Sequence, residues 1–317
     1  MESATKKANR GGLSKKTKRL LFYIAVVAVP IAQFCLFYLY VNFNSVVVAF
    51  RRYVIPENGG LGYEIQFAAF ENFKKAFETL FSSGKMILNS LKMIACELFI
   101  GLPLALVFSF YIYKKFFMAK AFKVMLFMPQ IISSIIFVTL FKYMADDVYK
   151  AVFHAETGLL ELNSPVSVRM ATVLFYNVWI SFGVNVMMFT GTMSGIDESI
   201  VEAASLDGAN LFQEFWYVTL PMIWSTFTTF VVISLTSLFT HQLNLFAFFS
   251  ISAGELSSFG YFLFIKSLDP NNLRYNPMTD NVTYSVLSAL GIILTVITLP
   301  IVLGSRKLME KLGPSVI

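Results

Sequence analysis

Polar side chains are concentrated in two apolar segments of the chain, 168–193 and 219–240 with the few residues that follow. Asn177, Ser181 and Asn185 are spaced four apart, so on a helix they share one face. The polar side chains of the second segment are Ser237, Thr240, His241, Gln242 and Asn244. Buried amides and hydroxyls cost free energy unless they are hydrogen-bonded. Such groups could therefore bind a polar solute, or they could simply bond one helix to another.

The segment 194–218 is acidic and contains no Lys or Arg. Its acidic residues are Asp197, Glu198, Glu202, Asp207 and Glu214. On a helix, Glu198 and Glu202 lie one turn apart on the same face, and Ala203 and Ala204 beside them would let another backbone approach closely. The pattern indicates either a docking surface or a solvated amphipathic loop.

The same segment carries the signals of two short helices. Asp197 is a suitable N-cap for a helix that ends near Leu206. Gly208 can supply the left-handed residue that ends this helix. Asn210 and Gln213 have the spacing of a capping box, which begins a second helix. The segment is therefore predicted to form a helix–turn–helix.

The sequence lacks the motifs of common catalytic sites. It contains no GxxxxGK[ST], HExxH or GxSxG sequence, and its two histidines are His154 and His241. Cys35 and Cys96 lie in apolar runs and are interpreted as small core residues. We expect no catalytic residue, no cofactor, no metal site and no ATP site on this chain.

The composition indicates an integral membrane protein. Of the 317 residues, 56% are apolar and 14% are charged, which leaves too few charges to cover a water-soluble surface. The net charge is +6, but seven of the 25 basic residues lie in the first nineteen positions. That clustering is typical of a membrane topology signal, so we expect a lipid bilayer and no nucleic acid as partner.

Six apolar runs are long enough to cross the bilayer as helices. They lie at about 20–50, 86–113, 121–144, 168–193, 219–240 and 284–304. Lys and Arg are most frequent in residues 1–19, 114–123 and 306–311, which share one side of the membrane if all six runs cross it. The six runs predict an all-α protein with six transmembrane helices. The positive-inside rule places both of its termini in the cytoplasm.

A resemblance to a known family is carried by EAASLDGA at 202–209 and FWYVTLP at 215–221. These sequences resemble the EAA loop of permease subunits in binding-protein-dependent ABC importers, most closely the carbohydrate-uptake branch. Residues 70–77 and 88–91 resemble the same family, and the resemblance covers nearly the whole chain. It implies a type I importer bundle with a cytoplasmic coupling helix.

The resemblance also implies roles for individual residues. Glu202 would be the polar anchor of the coupling helix, and Gly208 would form its turn. The predicted ATPase-coupling residues are these two together with Ala203, Ala204 and Asp207. Asn177, two residues before Trp179, resembles the position of a sugar-contacting Asn in maltose-type permeases. The predicted substrate pathway contains Asn177, Ser181, Ser237, His241 and Asn244.

The implied partners are cytoplasmic ATPase subunits, a second and homologous permease subunit, and an extracytoplasmic solute-binding protein. The implied location is a bacterial plasma membrane. We expect a basic cytoplasmic tail at 1–19, a first transmembrane anchor at 20–50 and an extracytoplasmic segment at 51–85. A permease core at 86–304, which includes the coupling loop 194–218, precedes a cytoplasmic tail at 305–317.

Two other functional classes stay open. A secondary carrier or channel would have ionisable residues near the middle of the membrane, and Lys92 is the one clear candidate. A membrane-embedded enzyme would need a catalytic cluster within the spans, which the motifs do not indicate.

Overall fold

Helices form most of the regular structure in residues 14–54, 64–269 and 282–314, the ranges that this computed structural model describes. In chain order they are α1 Lys15–Ala49, α2 Glu71–Ser82, α3 Gly84–Tyr113, α4 Ala119–Ile131, α5 Ser134–Phe153, α6 Val166–Met193, α7 Glu198–Leu206, α8 Leu211–Met222, α9 Trp224–Thr236, α10 Leu245–Phe249, α11 Phe259–Leu268 and α12 Tyr284–Leu312. Most of the predicted tail 1–19, part of the segment 51–85 and the last residues of 305–317 lie outside these ranges.

A short β hairpin departs from the all-α expectation. Strands β1 (Arg51–Val54) and β2 (Glu64–Phe67) pair antiparallel, with Tyr53 opposite Ile65. Aromatic and β-branched residues favour extended backbone, and both strands contain them. Each strand has only four residues, too few to give a hydropathy pattern beside the long apolar runs.

Four helices of the described chain, α1, α3, α6 and α12, are long and apolar enough to cross a membrane. Two further candidates are bent pairs, α4 with α5 at 105° and α8 with α9 at 70°. The described residues therefore provide four spans, or up to six if each bent pair crosses once. The expectation of six spans agrees with the upper number.

The bends occur where the helices end beside proline. Pro129 lies in the last turn of α4, where it removes a backbone donor, and Ile132 after it is extended. In the second pair, Pro221 precedes Ile223, whose ψ of 9° interrupts the helix before α9. Hydropathy alone marks each pair as one apolar run and does not reveal the bend.

The membrane core is built around α6. Helix α3 packs along it, and Leu102, Phe189 and Ile223 form part of one buried cluster. Helix α4 packs on the same helix so closely that a Cβ on Gly183 would meet the Leu126 carbonyl oxygen. These contacts fix the position of the α6 face that carries the polar stripe.

Helix α1 stands apart from this core. None of its residues between Lys15 and Phe34 is buried, and only its carboxyl end, at Ala49, joins a buried cluster with α2 and α12. Apolar side chains such as Phe22 and Val29 are exposed along its length. A helix with this surface is suited to a lipid environment.

Candidate functional site

The acidic segment 194–218 folds locally as its caps predict. Asp197 caps α7, and its carboxylate accepts hydrogen bonds from the Ser199 N–H at 3.0 Å and from the Ser199 hydroxyl at 2.8 Å. The hydrogen bond from the Ser199 N–H, and secondly the one from the Ser199 hydroxyl, lower the pKa of the Asp197 carboxyl below its ordinary value. The predicted first helix is confirmed, with its end at Leu206.

The turn and the second helix also follow the prediction. Gly208 has a φ of +82°, a conformation that glycine adopts without steric cost. The Asn210 side chain accepts from the Gln213 N–H, and the Gln213 side chain accepts from the Asn210 N–H, both at 2.9 Å. This reciprocal capping box begins α8.

The helix–turn–helix presents a largely uncovered surface. No residue of α7 is buried. Of the predicted coupling residues, Ala204 is half-buried, and the exposed ones are Glu202, Ala203, Asp207 and Gly208. Leu206 is 89% exposed and Phe212 is 71% exposed. The surface thus combines carboxylates with large apolar side chains, which favours burial against another protein over a purely solvated loop.

One ion pair connects this segment to the membrane core. The Lys114 ammonium, directly after α3, lies 2.6 Å from Glu214 Oε1 in α8. The two side chains are only 20% and 9% exposed. The contact joins the base of the helix–turn–helix to the end of a predicted span.

A cavity of about 320 Å³ lies between α3, α6, α9 and the loop after α9. Its walls include all five residues of the predicted substrate pathway, namely Asn177, Ser181, Ser237, His241 and Asn244. The structure therefore brings together side chains that are up to 67 residues apart in sequence.

Within this cavity wall, Asn177 is bonded entirely to the protein. Its amide nitrogen donates to the carbonyl oxygens of Val173 at 2.8 Å and Leu243 at 2.9 Å. Its side-chain oxygen accepts from the Asn244 amide at 2.8 Å. Asn177 thus attaches the loop after α9 to α6. This agrees with the interpretation that these polar groups bond parts of the protein to each other, rather than with direct binding of a solute.

Glu97 is the cavity residue that the sequence reasoning missed. It lies in a π-helical turn of α3, Glu97–Gly101, and is 9% exposed. Its Oε1 accepts from the Asn185 amide at 2.9 Å, and its Oε2 lies 3.1 Å from the Ser181 hydroxyl. The expectation that Lys92 is the one clear ionisable candidate within a span is therefore wrong, because Glu97 lies in the same helix. A single acid within the apolar run 86–113 was the available signal.

Among the described residues, no group of three or more His, Cys, Asp or Glu side chains is arranged to hold a metal ion.

Comparison with known proteins identifies the family. The family described as "Binding-protein-dependent transport system inner membrane component" matches residues 98–317. The probable ABC transporter permease protein YurN of Bacillus subtilis is 29% identical over 168 residues, which are 49% of this chain and 54% of YurN. The arabinooligosaccharides transport system permease protein AraP of B. subtilis is 24% identical over 306 residues, covering 93% of this chain and 89% of AraP.

Solved structures show the same fold. A chain from a bacterial ABC transporter involved in the import of the acidic polysaccharide alginate has a TM-score of 0.69 at 19% identity, with 95% of this chain and 99% of that chain covered. A chain from a bacterial alginate ABC transporter in complex with an alginate pentasaccharide-bound periplasmic protein has a TM-score of 0.68 at 19% identity, with 96% of this chain and 99% of that chain covered. The predicted resemblance is confirmed, and this chain belongs to the binding-protein-dependent transport system inner membrane components, the permease subunits of ABC importers, which are transport components and not enzymes.

Proposed function

We propose that this chain forms one half of the membrane pathway for a sugar or oligosaccharide delivered by an external binding protein. The observation that carries the proposal is the cavity between α3, α6, α9 and the loop after α9, whose walls contain a carboxylate, three amides, hydroxyls and an imidazole. The names of relatives support the solute class, since AraP belongs to an arabinooligosaccharide system and the structural neighbour imports alginate.

The chemistry of the cavity suits a polyhydroxylated solute. Carboxylate and amide oxygens accept hydrogen bonds from sugar hydroxyls, while amide and imidazole N–H groups donate to them. Phe230 and Ile233 add apolar wall against which a sugar ring can pack. Asn177 would act by holding Asn244 in place, because its own polar atoms are already bonded.

In this proposal each bent helix pair is one span, which gives six spans in a type I bundle. The boundaries 1–19, 20–50, 51–85, 86–304 and 305–317 then separate cytoplasmic tail, first span, extracytoplasmic segment, permease core and second cytoplasmic tail. Both termini would lie in the cytoplasm of a bacterial cell, on the side of the helix–turn–helix.

Helix α7 would be the coupling helix. Glu202 would anchor it in a cleft of a cytoplasmic ATPase, and Ala203 and Ala204 would allow close approach. Asp207 and Gly208 would form the turn into α8. ATP hydrolysis on the separate ATPase subunits would move α7 and rotate this bundle against a second, homologous permease subunit.

The test is reconstitution of the whole assembly in liposomes, after the binding protein has been screened against neutral and acidic oligosaccharides by thermal shift. We expect uptake of the selected solute to require both ATP and the binding protein. Uptake that proceeds without ATP on a sodium or proton gradient would instead support the secondary-carrier alternative.

A further inference from the structure

Glu97 gives the cavity a charged group, which bears on the charge of the solute that the cavity can accept. Of the side chains that line the cavity, only Glu97 and His241 are ionisable, and none is Lys or Arg. The Leu243 N–H lies 3.1 Å from His241 Nδ1, a contact in which this nitrogen acts as the acceptor. Among the described residues that line the cavity, no Lys or Arg side chain balances the Glu97 carboxylate.

Glu97 is held in position from two sides. Asn185 and Ser181, one turn apart on α6, each contact one carboxylate oxygen. On its own helix, a Cβ at Gly101 would come within 3.0 Å of Oε2, so the absence of a side chain there leaves room for the carboxylate. The π-helical turn that contains both residues is the kind of local widening often found at functional sites.

The carboxylate has acceptor capacity that the protein does not use. A carboxylate offers about four acceptor positions, and two contacts from described side chains reach it. The remaining positions are available to donors that enter the cavity, and sugar hydroxyls are such donors. A carboxylate on the solute would come close to the Glu97 carboxylate, and like charges repel where no Lys or Arg side chain lies between them.

We propose that Glu97 is a specificity-determining residue that selects uncharged polyhydroxylated solutes over sugar acids. This inference rests on the proposed function, because it requires the cavity to be part of the solute path. The inference predicts that this chain differs in solute charge from the importer of an acidic polysaccharide whose fold it shares.

The charge of the cavity can be measured without knowing the solute. The chain has two cysteines, Cys35 and Cys96, which are replaced by Ala. Ser237→Cys then places a thiol in the cavity wall of the assembled permease–ATPase complex. The rates of modification by a cationic and an anionic methanethiosulfonate reagent are compared, with and without Glu97→Gln.

We expect the cationic reagent to react faster, and Glu97→Gln to reduce the ratio of the two rates about ten-fold. Glu97→Asp keeps the charge and should keep the ratio above that of the Gln variant. Glu78→Gln makes the same change at an exposed carboxylate outside the cavity and should leave the ratio unchanged. A ratio that does not respond to Glu97→Gln would overturn the inference.

Selectivity is measured by how well each of two sugars protects the same thiol from modification by the reagents. The sugars are α-1,4-linked galactotriose, which is neutral, and trigalacturonate, which carries a carboxylate on each ring. We expect the neutral sugar to protect at a concentration at least about ten times lower, and Glu97→Gln to narrow the difference. Equal protection, or protection by neither sugar, would overturn the inference. ATP-driven uptake in the reconstituted assembly is scored separately, so the proposed function can stand or fail independently.

Discussion

At the scale of single residues, burial and bonding separate side chains that sequence spacing treats alike. Asn177 and Ser181 share the predicted polar face, yet all the polar atoms of the Asn177 side chain are bonded within the protein. Ser181 is half-buried and lies beside the Glu97 carboxylate. We therefore expect Asn177 to position the cavity wall, and Ser181 to act where the solute passes.

Asn177→Ala should lower stability more than it changes apparent solute affinity. The change leaves the Leu243 carbonyl and the Asn244 amide without their partner, a loss of about 1–3 kcal/mol for a buried group. Thermal unfolding in detergent and the solute concentration for half-maximal uptake should be measured on the same preparation. A variant of normal stability that needs much more solute for half-maximal uptake would instead make Asn177 a direct contact.

At the scale of elements, local signals were sufficient for the helix–turn–helix and insufficient for the cavity. The N-cap at Asp197, the left-handed Gly208 and the Asn210–Gln213 box depend on residues within a few positions, so the sequence contained them. The contact of Glu97 with Asn185 joins residues 88 apart. Only the packing of α3 on α6 creates it, and hydropathy showed neither the two bends nor the short hairpin.

The Lys114–Glu214 pair should transmit movement of the helix–turn–helix to α3. Lys114→Glu or Glu214→Lys places like charges together in a mostly buried contact, and loss of such a pair costs about 3–5 kcal/mol. We expect each single variant to lose stimulation of ATPase activity by the loaded binding protein, and the double exchange to recover much of it.

Arg306→Glu with Glu310→Arg is a matched control, because this pair is exposed at 63% and 56%. Its single variants should change stimulation little. If the Lys114 and Glu214 single variants kept full stimulation at normal abundance, the pair would have no role in transmission.

At the scale of the whole molecule, the arrangement of spans decides which surfaces meet which partners. In the proposed function, the helix–turn–helix lies on the ATPase side and the cavity opens in turn to each side of the membrane. This arrangement assumes six crossings, in which each bent pair crosses once.

Labelling of single cysteines tests this topology in a background without Cys35 and Cys96. A membrane-impermeant maleimide should label Leu162→Cys, in the loop before α6, on intact cells. It should label Ser205→Cys in α7 only after permeabilisation. The chain is expressed without its ATPase, and both positions are exposed in the structure, so access is set by the membrane. Labelling of Ser205→Cys from outside would contradict the six-span arrangement.

The most direct test of the account is ATP-driven uptake by the reconstituted assembly carrying Glu202→Lys, which reverses the charge of the proposed anchor on α7. Glu156→Lys, an exposed acid in the loop between α5 and α6, is the control for the charge change. Gly208→Val, which puts a β-branched residue at a φ of +82°, tests the turn independently. We predict that Glu202→Lys and Gly208→Val abolish uptake and binding-protein stimulation of the ATPase at normal membrane abundance. Glu156→Lys should leave both uptake and stimulation intact. Wild-type uptake by the Glu202→Lys assembly would contradict the assignment of α7 as the coupling helix.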